Sequence, residues 1–452
     1  MKKRRILVVG GMAAGPSAAA KAVRTNPNAE VIMFEATETV SYGICEAPYA
    51  ISGLIQDESR LLVYTPGRLK DEKGITVKCL HLVEKVIPGD HKILVRSLKD
   101  QMVSEYGYDK LILATGARPR TLGVDGEQGH NVFHVSSRED TLHILNYIKN
   151  ESPRTAVIIG GGYIGMEMSE ALRTRGIDVT LLHRFRLPME GLELGTREHI
   201  VEELENNGVH FITNVNVEML QENKNGRVQH VLTNRGSFEA DMVILSLGVE
   251  PRVSLAKSAR IRLGPTGAIA VDERQQTSGE DIYAAGDCCE VKNIVNGKSM
   301  HLPLATIASR GAWVAGENAA GGRAMFKGAI RAVAVKVFGI EVAQVGLSSD
   351  EAKASGFQVV TESVTANSKV GIMPGSRKIT VTLIVDRRSN RLVGANVFGG
   401  DGAVLRANAL GVAIQHKLTI DDIARLDLIY APPFAPLWDP VLVAANQVKK
   451  KL

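Results

Sequence analysis

Cys45 is the residue of this chain best placed to react. It stands in the segment Ser41-Tyr42-Gly43-Ile44-Cys45-Glu46-Ala47-Pro48-Tyr49, shortly after a glycine-rich turn of the kind that cradles a dinucleotide. A second, fuller turn of that kind begins at Gly160. One chain is therefore expected to hold two dinucleotides and a redox-active sulfur, with electrons running from one dinucleotide to the other and on to the thiol.

Cys45 follows Gly43 at the expected start of a short helix, where Pro48 is tolerated in the first turn. A helix N-terminus lowers a thiol's pKa and favours the thiolate, the form that attacks disulfides, and Glu46 beside it acts in the opposite direction. On local sequence alone an inert buried thiol stays open as the alternative. Cys79 reads as core. Cys288 and Cys289 read as small buried side chains, with a vicinal disulfide or a metal site as the alternative. None of the four cysteines has a Cys-x-x-Cys or Cys-His spacing, so no metal site is expected.

The first turn runs Gly10-Gly11-Met12-Ala13-Ala14-Gly15 and places Met12 where the G-x-G-x-x-G pattern has its second glycine. The context restores the match, because a strand precedes the turn, a helix follows it, and Glu35 stands beyond to bond a ribose hydroxyl. The second turn, Gly160-Gly161-Gly162-Tyr163-Ile164-Gly165, is complete, and the helix it opens offers backbone amides and a positive dipole end to a pyrophosphate. At its ribose-reading position stand His183, Arg184 and Arg186, with no acid. Cations there suit a 2′-phosphate, so NADPH is favoured, and NADH stays open. Asp287, in Ala284-Ala285-Gly286-Asp287, offers a carboxylate to a polyol hydroxyl or serves as a helix N-cap.

The elements that position these groups repeat. Ile6 to Val9 and Glu30 to Phe34 read as strands around a helix from Pro16 to Thr25, and Thr155 to Ile159 and Asp178 to Leu182 as strands around a helix from Met166 to Arg175. Three further strands, Tyr108 to Ala114, Met242 to Leu247 and Asp281 to Ala285, end at glycine turns, as expected where a sheet edge meets a ligand. After about Gly322 the character changes to strands such as Ile379 to Val385 and Leu392 to Val397, with a helix from Val404 to His416.

The chain has 452 residues, enough for about three domains. A hydrophobic fraction of 44% and a net charge of +5 fit a soluble protein and argue against nucleic-acid and membrane partners. The basic runs Lys2 to Arg5 and Lys449 to Lys451 read as solvated termini. Lys2 to Arg5, Ile6 to Val9 and alanines 18 to 20 imitate a secretory signal, but Gly10, Gly11 and Gly15 have the spacing of a phosphate-binding turn. With four cysteines and no disulfide framework, a reducing cytoplasm is the expected location.

These motifs together resemble the flavin-dependent pyridine nucleotide-disulfide oxidoreductases, in the branch with one redox cysteine that includes coenzyme A-disulfide reductases, sulfur and persulfide reductases, NADH oxidases and NADH peroxidase. The resemblance rests on Gly10 to Gly15 with Glu35, Ser41 to Tyr49, Ala114 to Gly116, Gly160 to Glu167, Gly248 to Pro251, Ala284 to Asp287, Pro303 to Thr306, Gly316-Glu317-Asn318 and Tyr430 to Pro433. It implies an α/β fold with two Rossmann-like domains, for FAD (residues 1–115 and 251–325) and for NAD(P) (116–250), followed by a C-terminal α+β dimerisation domain (326–452). It further implies that Gly10, Gly11, Met12, Ala13, Ala14, Gly15, Glu35, Ala36, Val83, Ala114, Thr115, Gly116, Asp287, Ala305 and Thr306 line the flavin. Gly160, Gly162, Tyr163, Ile164, Gly165, Glu167, His183, Arg184 and Gly248 would hold the nicotinamide nucleotide. Cys45 would form the mixed disulfide, Tyr430 of a partner subunit would reach it across a homodimer interface, and Arg24 and Ser41 would lie near coenzyme A.

Departures from the pattern narrow the chemistry. Peroxidases and water-forming oxidases of the branch carry a histidine where this chain has Ala13. Two-cysteine reductases need a second cysteine where Ala50 stands and a His-Pro where Tyr430 precedes Ala431. Many coenzyme A relatives flank the cysteine with Asn and Gly, here Ile44 and Glu46, and bear a second tyrosine in a strand that here reads Leu383-Ile384-Val385. The leading expectation is NADPH-driven reduction of a low-molecular-weight disulfide, persulfide or polysulfide through Cys45, with coenzyme A as substrate or bound thiol. The alternatives are an NAD(P)H oxidase releasing peroxide and an electron-transfer flavoprotein serving a protein partner.

Overall fold

The computed structural model describes residues 3–452; Met1 and Lys2, at the head of the basic N-terminal run, lie outside the described residues. Strand β1 (Arg5–Val9) is an apolar run whose Ile6, Leu7 and Val8 are fully buried, each such side chain contributing roughly 1.5–3 kcal/mol. It leads into α1 (Ala14–Thr25), then β2 (Glu30–Phe34). A three-residue 3₁₀ turn, Ile44–Glu46, enters the short helix α2 (Ala47–Ser52). Strand β3 (Lys110–Leu113) pairs with the other edge of β1, so the chain order reverses there.

The same order recurs in β4 (Thr155–Ile159), α3 (Tyr163–Thr174), β5 (Asp178–Leu182) and β6 (Met242–Leu245), with β4 between β5 and β6. The chain then returns to the first sheet as β7 (Ile282–Ala284), beside β3, and continues into α4 (Ala305–Ala319). Both sheets have five strands, all parallel. Each has its reversal point at the carboxyl end of its central strand, where open parallel sheets bind ligands.

Beyond residue 331 the pairing becomes antiparallel. Strands β8 (Ala332–Val337), β9 (Ile340–Gly346), β10 (Val359–Asn367), β11 (Lys378–Asp386) and β12 (Arg391–Gly399) form one sheet in the order β8-β9-β12-β11-β10. Helices α5 (Ala403–Gln415) and α6 (Pro440–Val448) share a core with it. This sheet and the second nucleotide unit are tied by carboxylates: Glu193 accepts from the Ser349 amide at 2.8 Å and Glu203 from the Gly339 amide at 2.7 Å. The helix carrying the reactive segment is wedged between them, since Ala47 and Ile51 share one core with Met168 of α3 and Val335 of β8.

Among the element boundaries, two helix starts differ from the sequence reading in the same way. Both helices after the glycine turns start two or three residues earlier than the periodicity suggests, at Ala14 and Tyr163, because the last residues of each glycine turn already form the helix's first turn. The C-terminal lysines are engaged as well as solvated: Lys449 pairs with Asp421 and Lys451 with Glu362. No helix among the described residues is long and apolar enough to cross a membrane.

Candidate active site

The two glycine turns are cradles that a side chain would destroy. Gly10 has φ +108°, and a Cβ there would meet the Ala114 carbonyl oxygen at 2.1 Å. One on Gly15 would meet the Gly10 carbonyl oxygen at 1.8 Å, and the equivalent pair Gly165 and Gly160 stands at 2.1 Å. Gly162, by contrast, faces open space. So do Gly116 and Gly248, at positive φ just after β3 and β6. The side chain of Met12, which interrupts the first pattern, packs against Tyr42, Ala50 and Leu61 and so is occupied within the protein.

Helix N-termini converge on these openings without side-chain caps. Neither α1, α3 nor α4 has a side-chain hydrogen bond at its N-cap, and none carries an acid in its first turn. Ala13, Ala305 and Thr306 are exposed there. Such uncapped amides suit an anion. The hydroxyls of Thr39 and Ser41 are buried with no partner, and Ser41, at φ +53°, donates its amide to Gly11 O at 2.9 Å.

Glu35 is buried beneath the first turn, where its carboxylate accepts from the Gly11 amide at 2.7 Å and the Thr37 amide at 2.8 Å. Ala36 follows half-buried, and Val83 contributes its side chain to the core below. In the second turn His183 occupies the matching place. Its Nδ1 accepts from the Gly161 amide at 3.1 Å, and its Nε2 lies 3.0 Å from Glu190. An N–H donor facing Nδ1 requires that nitrogen to be unprotonated, and burial pushes the imidazole's pKa down. His183 is thus a neutral structural acceptor and not the cation expected from sequence. Arg184 and Arg186 remain exposed, with Arg184 stacked on Phe185 at 4.6 Å.

Cys45 is exposed on the 3₁₀ turn that precedes α2. The helix N-terminus therefore does not carry its thiol, and the expected lowering of its pKa is reversed. Desolvation by the surrounding walls pushes it up, and the charges of Glu46, Glu167 and Asp287 add to that. Glu46 folds back over Gly43, with Oε2 2.5 Å from where a Cβ would stand. Glu167, on α3, is itself pushed up to about 7 by desolvation and by Glu170. Tyr49, one helical turn after Cys45, feels Glu167, Glu170 and Cys45, and burial raises its phenol. Tyr163, at the mouth of the second turn, is pushed up to about 12 by desolvation.

Asp287 lies in a turn with no helix after it, so the N-cap alternative fails. Desolvation raises its carboxyl, with His301 opposing, and among the described residues that carboxylate accepts no hydrogen bond. Thr115 spends its hydroxyl on Arg252 O at 2.7 Å. Cys288 and Cys289 are buried free thiols, whereas Cys79, just past its strand, is only half-buried. Among the described residues no metal-binding cluster occurs. Tyr430 is 47% exposed on a surface loop with Ile429, Phe434, Leu437 and Trp438, so a single chain gives Cys45 the company of Tyr49 and Glu167 and not of Tyr430.

The sequence profile of the pyridine nucleotide-disulphide oxidoreductases matches residues 4–312, and that of their dimerisation domain residues 332–440. The chain belongs to this family. It is 36% identical over 450 residues to the NAD(P)H sulfur oxidoreductase (CoA-dependent) of Pyrococcus furiosus, covering 99% of this chain and all of that one. The structure of reduced CoADR-RHD from Bacillus anthracis superposes with a TM-score of 0.96 at 34% identity, covering 100% of this chain and 81% of that one. That of an NAD-dependent persulfide reductase from A. fulgidus gives 0.95 at 33%, covering 99% and 83%.

Membership makes the protein an oxidoreductase and implies FAD and NAD(P)H. The residues present fit those groups. The glycine cradles, the uncapped helix ends, the orphaned hydroxyls of Thr39 and Ser41 and the unpartnered Asp287 carboxylate supply the contacts that a dinucleotide's phosphates and hydroxyls need. The sequence reading quoted Tyr49 without giving it a role and passed over Glu190. The four-residue spacing from Cys45 is the signal for Tyr49; only the fold reveals Glu190.

Proposed function

We propose that the protein is a homodimeric FAD-dependent NAD(P)H:disulfide oxidoreductase whose single thiol, Cys45, reduces a low-molecular-weight disulfide, persulfide or polysulfide, coenzyme A disulfide among them. Residues 1–115 and 251–325 would hold FAD, 116–250 the nicotinamide nucleotide, and 326–452 the second subunit. The observation that carries this reading is the exposure of Cys45 on the turn that leads into α2, the helix wedged between the second nucleotide unit and the C-terminal sheet. The relatives named above, described as acting on sulfur, persulfide or with coenzyme A, support it.

Bound FAD would take a hydride from the nicotinamide nucleotide and return two electrons to sulfur. The Cys45 thiolate attacks one sulfur of the substrate, forming a Cys45–substrate disulfide and releasing the other half as a thiolate. Two electrons then cleave the mixed disulfide, regenerating the Cys45 thiolate and, with one proton, the second product thiol. Glu167, half-protonated near pH 7, and Tyr49 are placed to exchange that proton with the cleft. Arg184 and Arg186 offer charge to a 2′-phosphate, which favours NADPH. The apolar loop from Ile429 to Trp438 supplies the surface a second subunit would cover, bringing its Tyr430 towards Cys45.

The raised thiol pKa favours one rival, an NAD(P)H oxidase in which oxygen takes the electrons and Cys45 idles as a thiol. Steady-state turnover under nitrogen with coenzyme A disulfide and polysulfide separates the two. The proposal expects NADPH consumption matched by thiol release, and the rival expects none until oxygen is admitted and peroxide appears.

A further inference from the structure

Two carboxyl groups on α3 differ in how they are held. Glu167 is half-buried, and among the described residues no amide, hydroxyl or cation bonds to it. Glu170, three residues on and so on the same face of the helix, is clamped from two sides. Its Oε2 accepts from the Phe338 amide at 2.8 Å, and its Oε1 pairs with the Lys336 ammonium. Both partners belong to the C-terminal sheet, Lys336 to β8 and Phe338 to the turn before β9.

Side chains three apart on a helix have Cβ atoms about 5–6 Å from each other. A fixed negative charge therefore stands beside the free carboxyl, in walls that exclude water, and opposes its ionisation. The other ionisable groups around Glu167 do not relieve it. Cys45, Glu46 and Tyr49 lie on the segment packed against α3, with Asp287 beyond the thiol, and none of them is a cation. Tyr163 lies one turn earlier on α3 and feels Arg331, whose guanidinium is held by both oxygens of Glu351 at 2.6 and 2.5 Å. Lys336 is engaged by Glu170 itself.

We propose that Glu170 is a positioning residue for the reaction: clamped by the C-terminal sheet, it keeps a proton on Glu167, and the cleft supplies that proton to the product thiol when the mixed disulfide at Cys45 is cleaved. This rests on the reading of Cys45 as a disulfide-reducing thiol. The bond between Cys45 Sγ and the substrate sulfur breaks as two electrons arrive from the nicotinamide nucleotide. Cys45 is left as thiolate, the substrate sulfur takes the proton, and Glu167 is left as carboxylate. The proton that travelled with the hydride passes to solvent, from which Glu167 is reprotonated.

The test isolates that cleavage. Coenzyme A is first joined to Cys45 as a mixed disulfide in the FAD-loaded enzyme, and its release on adding NADPH is timed under nitrogen from pH 5 to 9. The rate should fall on the alkaline side as Glu167 loses its proton near pH 7. Glu170→Gln keeps an oxygen for the Phe338 amide but removes the charge, so the fall should move down by roughly one pH unit, the reach of one neighbouring charge. Lys336→Met removes the cation that offsets Glu170 and should move it up. A purely structural role would not produce shifts of opposite sign. The Glu167 carboxyl band in infrared difference spectra, assigned by its loss in Glu167→Gln, should titrate with the same pair of shifts. An unmoved limb in Glu170→Gln, shifts of the same sign in both variants, a parental profile in Glu167→Gln, or a band indifferent to Glu170 would each overturn the proposal. If NADPH releases no coenzyme A from the parental enzyme at any pH, the reading of Cys45 fails by itself, and the infrared titration still decides whether Glu170 holds the proton on Glu167.

Discussion

Gly161 donates its amide hydrogen to Nδ1 of His183 at 3.1 Å, in the place where the first nucleotide unit has Gly11 donating to Glu35 at 2.7 Å. Two units of one architecture thus close the same turn with a neutral ring in one and a carboxylate in the other. The second unit consequently has no acid in the place of Glu35: exposed Arg184 and Arg186 follow His183, and the Glu190 carboxylate faces its Nε2 at 3.0 Å.

His183→Asp should restore a carboxylate acceptor for Gly161 and place a negative charge at the ribose. The ratio of kcat/KM for NADPH to that for NADH should fall about tenfold or more, since the repulsion of two like charges at close range costs over 1 kcal/mol. Steady-state kinetics with both nucleotides measure it, and an unchanged ratio refutes the assignment.

The same bond carries a pH dependence. Burial holds the imidazole's pKa below its ordinary 6.5, so the unfolded chain takes up the proton first, and stability falls as pH drops below 6.5 and through the folded value. Parental Tm and NADPH affinity should decline together in that window. His183→Gln, whose side-chain oxygen accepts from Gly161 at any pH, should flatten both, as thermal melts and nucleotide titrations from pH 5 to 8 would show.

Glu46 raises the thiol pKa of Cys45 by its charge. Glu46→Gln should lower that pKa and speed alkylation of Cys45 by iodoacetamide at pH 7 by about two- to tenfold, the usual reach of one neighbouring charge. Rates that are the same in both proteins across the pH profile would mean that Glu46 does not act on the thiol.

Glycines in one turn should respond differently. Gly165→Ala forces a Cβ to within 2.1 Å of the Gly160 carbonyl oxygen, so it should cost about 1–3 kcal/mol and abolish nucleotide binding. Gly162→Ala meets nothing in the protein and should melt as the parent does, yet raise KM for NADPH by intruding where the backbone must approach the ligand. Calorimetry and kinetics of the pair separate a fold requirement from a ligand requirement.

The strands were legible because each is a short apolar run that is buried on both faces, as Ile6 to Val9 and Thr155 to Ile159 show. The glycine turns were legible because their φ values and close contacts admit little else. The charge state of His183 was not, since it depends on an amide 22 residues away. The rise in the Cys45 pKa was only partly legible: the opposing charge of Glu46 stands next to it in sequence, whereas the desolvation that dominates, and the added charges of Glu167 and Asp287, arise only through the packing of separate stretches of chain.

The most direct test is Cys45→Ser in the FAD-loaded enzyme, assayed under nitrogen with NADPH. The account predicts that reduction of coenzyme A disulfide and polysulfide disappears while NADPH-driven reduction of an artificial dye continues at the parental rate. Disulfide turnover persisting at the parental rate in that variant would contradict it.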